Sequence, residues 1–300
     1  MNEKDVAYCG CIPNRMTPQV VADIKNSAVP WDAEDVPPVT DWSSLEADLL
    51  ARPDCSFQWW QAPGAVSLFT PSQGKRPNCA GFSLANATMS LTLVQRYARN
   101  SEQKPEAINP MVTWQLSKGG SVIGGQSIAA MAQAGNKYGN YMVKDVGKYD
   151  PGVTFRTTDD FANVVARLHQ VGISLYDGDD PAGAVLLACR KGLSCMVGND
   201  RAVCATGTDE KGVEAAAISG SWAHATAFCG WKNVDGKNYV FWMNSHGDIY
   251  RTKDGTPAFG CWMGERDLKL FLGGSFADVC VLTYAEATYD DTLKPTLEVK

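Results

Sequence analysis

The feature that most restricts the fold is a change of periodicity partway along the chain. Over residues 80–99, AGFSLANATMSLTLVQRYAR places Phe82, Ala85, Met89, Leu93 and Tyr97 at steps of three and four, the spacing of one buried helix face. Asn78 and Cys79 stand at its start, and Pro77 suits a helix entry. Shorter helices are predicted over 124–135 (GGQSIAAMAQAG), ended by its glycine, and over 159–172 (DDFANVVARLHQVG). PAGAVLLACRKG followed by LSCMVG then reads as helix into strand. Beyond it, AHATAFCGW, NYVFWMNS and DVCVLTY are β-rich runs bounded by Gly, Asn and Asp, with a hairpin turn predicted over 234–236. Helices first and antiparallel strands second make an α+β chain rather than an alternating βαβ one.

Residues 1–54 read as an extension, broken by Pro13, Pro18, Pro30, Pro37, Pro38 and Pro53, with short helical stretches at 18–25 and 43–51. A compact domain is expected over 55–287, and a polar tail over 288–300. A net charge of -6 with dispersed Lys and Arg argues against a phosphate-binding surface, so nucleic acid is not expected as a partner. No apolar run approaches the roughly 20 residues of a membrane span, which argues against a membrane partner. MNEKDVAYCGCIPNRM lacks the apolar stretch of a secretory signal, so a cytoplasmic or particle-packaged protein is expected.

Ten cysteines are present, without the paired CxxC spacing of a zinc site, so neither metal nor cofactor is expected. Most are expected to be buried thiols acting as small hydrophobes. A catalytic thiol needs more: a helix N-terminus or imidazolium to favour the thiolate, a group to orient the imidazole, and a donor for the oxyanion. Cys79 opens the 80–99 helix, and Gln73 lies six residues before it with an amide that can donate. Of three histidines, His169 falls in an amphipathic helix, whereas His224 begins the apolar run HATAFCGW and His246 follows Asn244 and Ser245. The order Gln, Cys, His, Asn is more specific than any of these residues alone.

These residues resemble the papain family of cysteine peptidases. WQAPGAV at 60–66 and QGKRPNCAGFS at 73–83 are similar to its W-x3-GAV and QGx4C stretches. Gly124 and Gly125 resemble the glycine pair that precedes a helix, WAHATAFCGW its histidine strand, and YVFWMNSHG its asparagine strand and turn. AVLLACRKGLSCMVG resembles a helix followed by a cleft-lining strand, and FGCWMGERDLKLFLGGSFADVCVL the closing strand segments of bacterial members. The resemblance spans about 57–285 and implies a bacterial or viral-type member with a two-subdomain α+β fold, helices on one side of a cleft and an antiparallel sheet or barrel on the other.

It further implies Cys79 as nucleophile, His224 as base and acid, Asn244 as the group orienting the imidazole, and Gln73 as oxyanion donor. Gly124 and Gly125 are implied to offer backbone hydrogen bonds to an extended peptide. Ser127 and Ala225 are implied to line the pocket for the side chain two positions before the cleaved bond. The substrate implied is a peptide or protein, with 1–54 a short pro-segment or a docking segment for a protein partner. Three departures stand out: His246 replaces the tryptophan that shields the Asn–His bond, Ala80 replaces a bulky aromatic, and Arg76 replaces a disulfide cysteine. His246 and the acidic chain leave open a catalytically weak or inactive domain serving a larger assembly such as a virus particle. Related thiol chemistry, including a leader peptidase that shares Gln-x5-Cys, is the remaining alternative, and the NSHG turn favours the papain reading over it.

Overall fold

The computed structural model describes residues 11, 56–57, 60, 65–70, 72–98, 106–121, 123–152, 155–156, 171–208, 214–247, 259–285 and 298–299. The helices expected at 18–25 and 43–51, and residues 159–170 of the one expected at 159–172, His169 among them, lie outside the described residues. In chain order the elements begin with β1 (Ser56–Phe57), a 3-10 turn (Ala65–Leu68), α1 (Cys79–Ala98), α2 (Val112–Leu116), α3 (Ile128–Tyr138) and α4 (Val143–Val146). There follow β2 (Phe155–Arg156), β3 (Val171–Tyr176), α5 (Pro181–Arg190), β4 (Ser194–Thr208), β5 (Glu214–Val234) and β6 (Lys237–Met243). The last are β7 (Gly260–Gly264), α6 (Glu265–Leu272), β8 (Ala277–Ala285) and β9 (Glu298–Val299).

Helix α1 is buried on every side from residue 79 to 94, not on one face as the periodicity suggests. Most of its other positions up to 94 are Gly, Ala, Ser, Thr or Asn, small enough for neighbours to close on these faces, while Leu84, Leu91 and Val94 are buried away from the periodic stripe. Several of its buried hydroxyls are satisfied: Thr92 donates to the Thr88 carbonyl (2.9 Å), and Thr88 Oγ1 accepts from Asn140 (3.2 Å).

The strands form an antiparallel sheet in the order β3-β8-β4-β5-β6-β7, with β1 paired on β5. β5 and β6 are joined by the expected hairpin, where Asp235 (φ 49°) and Gly236 (φ 77°) both take positive φ as a tight primed turn requires. Opposite β6, the register of β5 slips between Phe228 and Trp231. Beside the sheet, Trp60, Phe241 and Trp262 form an aromatic cluster with centroids 4.5 to 5.4 Å apart. Trp242 and Trp262 are wholly buried, each large side chain of this kind contributing roughly 1.5–3 kcal/mol or more of apolar burial.

Three local expectations are corrected. Gly135 does not end the helix that begins after Ser127: α3 runs on to Tyr138, and Gly139 (φ 67°) closes it. Gly135 is instead a point of close approach, where a Cβ would stand 2.7 Å from Ile173 Cδ1. Val171 and Gly172, expected to finish a helix, begin strand β3. The closing stretch after residue 259 is not strand throughout, because ERDLKLFL forms α6, burying Leu268, Phe271 and Leu272 at helical spacing.

Candidate active site

Cys79 is the first residue of α1 and is wholly buried. At that end of a helix the backbone N–H groups are unpaired within the helix and favour negative charge. One turn further on, Ser83 Oγ donates to the Thr226 carbonyl of β5 (2.5 Å). That bond joins α1 to the strand that carries His224, two residues before Thr226.

His224 is also wholly buried, and its Nε2–H donates to Asn244 Oδ1 at 2.6 Å. An amide oxygen only accepts, so this contact assigns the ring proton to Nε2 and leaves Nδ1 with its lone pair. Nδ1 has no hydrogen-bond partner of its own. Asn244 Oδ1 accepts a second bond from the Ser245 N–H (2.8 Å), which fixes the amide, and the Asn244 N–H donates to the Phe259 carbonyl (2.9 Å).

Gln73 is held against the same turn. Its N–H donates to the Ser245 carbonyl (2.7 Å), its Oε1 accepts from Ser245 Oγ (2.5 Å), and Ser72 pairs with His246 in an antiparallel bridge. Gln73 Nε2 donates to the Arg76 carbonyl (2.7 Å), which employs one of its two N–H groups. Tyr149 donates to the Gln73 carbonyl (2.8 Å), and burial pushes its phenol up to about 12, so it is a donor at neutral pH.

The rings around His224 account for its protonation. His246 stacks on it at 4.4 Å and 25°, and Trp222 leans against it at 4.7 Å and 59°. Burial pushes the His224 imidazole well below its ordinary value, the neighbouring His246 adds to this, and the Asn244 bond opposes it. Burial also lowers His246, to about 4, so this ring is uncharged at neutral pH. The ring that replaces the expected tryptophan thus keeps an aromatic face over His224 rather than a charge.

The remaining candidates lie at separate points. Ser127 is the N-cap of α3, its Oγ accepting from the Ala130 N–H (3.2 Å). The carbonyls of Gly124 and Gly125 both accept from Lys118 Nζ, at 3.0 and 2.9 Å. Burial lowers the Lys118 pKa. Ala225 is buried on β5 and pairs with Gly198 of β4. The thiols of Cys189 and Cys280 are pushed up by burial, which suits inert core residues. Among the described residues no group of three or more His, Cys, Asp or Glu side chains is placed to hold a metal ion.

Trp222, Ser245 and Tyr149 are the site residues that sequence reasoning missed. For Trp222 a signal existed: it stands two positions before His224 on a strand, where alternate residues share a face. For Ser245 and Tyr149 none did, because each acts on Gln73, which lies 172 and 76 residues away along the chain.

No family model matches the chain, and no curated protein matches it in sequence. Among solved structures it is similar to xylellain, a cysteine protease from Xylella fastidiosa, with a TM-score of 0.55 at 13% identity over 94% of this chain and 97% of that one. It also matches digestive procathepsin L 3 of Tenebrio molitor larval midgut, with a TM-score of 0.46 at 14% identity over 92% of this chain and 83% of that one. At such identities a likeness speaks of architecture alone. With helix α1 set against an antiparallel sheet and xylellain aligned along almost the full length of both chains, the protein has the papain-like two-subdomain α+β fold.

Proposed function

We propose that the chain is a cysteine peptidase, with Cys79 as nucleophile, His224 as base and acid, Asn244 orienting the imidazole and Gln73 as oxyanion donor. The observation that carries this reading is the buried His224 ring, bonded to Asn244 through Nε2 with Nδ1 left unpartnered beside the strand that α1 packs on. Nδ1 takes the thiol proton, and the thiolate so formed is what stabilises an imidazolium in a site whose burial otherwise disfavours it. The thiolate adds to a peptide carbonyl, whose oxygen is met by the Cys79 N–H and the second N–H of Gln73. The imidazolium returns its proton to the leaving amine, and water then hydrolyses the acyl-enzyme.

Within this reading, residues 55–287 are the catalytic domain, 1–54 a pro-segment or docking segment, and 288–300 a tail. The glycine pair takes part in peptide binding through its N–H groups and the remaining carbonyl lone pairs, with Lys118 holding its other side. A cytoplasmic or particle-packaged location goes with this proposal, and no helix among the described residues is long and apolar enough to cross a membrane.

The complete burial of Cys79 and His224 favours a second reading, a papain-like domain retained as a binding or structural component of a larger assembly. One experiment separates the two. Iodoacetamide at pH 6 is expected to alkylate Cys79 ahead of the other thiols, and Cys79→Ala is expected to abolish cleavage of a broad peptide library. Uniform labelling of the accessible thiols, with an inactive wild-type chain, would establish the binding reading instead.

A further inference from the structure

Residues 73–78 (QGKRPN) connect the two groups that meet the oxyanion in the proposed reaction, the Gln73 amide at one end and the Cys79 N–H just past the other. Such donors act fully only when their positions are set to a fraction of an ångström before the reaction begins. The loop holds no cysteine, and Gly74 (φ 62°) and Lys75 are exposed, so neither a cross-link nor burial fixes its middle.

The restraint comes from a segment 76 residues further on. Tyr149 Oη donates to the Gln73 carbonyl at 2.8 Å and lies 3.4 Å from Oδ1 of Asn78, the residue before Cys79, so one hydroxyl contacts both ends of the loop. Its ring stands edge-on to Phe82 at the start of α1, with centroids 4.9 Å apart. Two residues later Pro151 closes on the middle of the loop: its carbonyl accepts from Arg76 Nε, and a Cβ at Gly74 would stand 3.4 Å from its Cγ. Tyr149 is thus tied to the nucleophile's helix through Phe82 and to the oxyanion donor through Gln73. Burial keeps its phenol protonated at neutral pH, so the donor is always present there.

We infer that Tyr149 is a positioning residue for the oxyanion site, its hydroxyl fixing the separation between the Gln73 amide and the Cys79 N–H. It touches none of the reacting atoms and acts through Gln73 and Asn78. The inference rests on the peptidase reading and adds a residue that the reading itself does not use.

The test compares the full chain with its Tyr149→Phe variant, which keeps the ring on Phe82 and removes only the hydroxyl. The probes are the peptide aldehydes acetyl-Ala-glycinal, acetyl-Leu-glycinal and acetyl-Phe-glycinal. In each, Cys79 Sγ bonds to the aldehyde carbon, the thiol proton passes through His224 to the aldehyde oxygen, and that oxygen meets the oxyanion donors. Iodoacetamide instead loses iodide from a saturated carbon and develops no oxyanion, so its rate at Cys79 reads the thiolate alone. Aldehyde affinity is read as protection of Cys79 from alkylation, by site-resolved mass spectrometry. It is expected to fall about tenfold in Tyr149→Phe, while the alkylation rate without aldehyde stays within about twofold of the wild-type chain. In a Gln73→Ala background the same change is expected to add less than about twofold, because Tyr149 acts through Gln73. Unchanged aldehyde affinity, equal losses of aldehyde affinity and alkylation rate, or an undiminished effect without the Gln73 amide would each overturn the assignment and leave the peptidase reading in place. A wild-type Cys79 that alkylates but takes up none of the aldehydes would remove the oxyanion site, and with it both the peptidase reading and the role of Tyr149.

Discussion

His246 shows how one substitution is absorbed by its surroundings. A titratable ring in place of an indole suggests, from sequence, a loosened shield with an effect toward alkaline pH. Its burial moves the ionisation the other way, to about 4. In the unfolded chain the same ring takes up a proton near pH 6.5, so between these values the unfolded state binds more protons than the folded one. Folding stability is therefore expected to be complete above about pH 6.5 and to fall as pH drops toward 4. His224, depressed in the same direction, adds to that loss. His246→Phe keeps the stacked face without the charge. Urea denaturation at pH 7 and pH 4.5 is expected to show a smaller drop for this variant than for the wild-type chain, and equal drops would remove His246 from the pH response. The roles of Cys79, His224 and Asn244 were suggested by residue order, whereas Trp222, Ser245 and Tyr149 appear only when distant segments are brought together.

Elements were legible in proportion to their length and regularity. Helix α1 declared itself through 20 residues of sustained periodicity. Helix α6, with eight residues between two strands, did not, because so short a segment gives little periodicity to read. Gly135 was misread for a different reason. Glycine near the end of a periodic run is most often a terminator, but here its missing side chain admits Ile173 and Leu84 against α3. Gly135→Val is expected to cost about 1–3 kcal/mol through overpacking, although valine suits a helix interior slightly better than glycine. An unchanged urea midpoint would show that Ile173 moves aside freely.

At the scale of the molecule, the candidate site is assembled from α1, β5 and the turn after β6, with Gln73 folded back on that turn. The Ser83–Thr226 hydrogen bond joins the first two of these across 143 residues of chain. Ser83→Ala is expected to lower stability by about 1 kcal/mol and, under the peptidase reading, to reduce kcat more than it raises KM. Full kcat in a destabilised variant would show that α1 is held in place by packing alone.

The sequence by itself determined the α+β class, the start of α1 at Cys79 and the β5–β6 hairpin, since each follows from local periodicity, helix-start chemistry or turn stereochemistry. Only the tertiary structure decided that α1 is enclosed on all sides, that His246 is held uncharged against His224, and that Cys11 and Ile128 both close on Gly198. Burial and protonation depend on which segments meet in space, and no local pattern in the chain encodes those meetings.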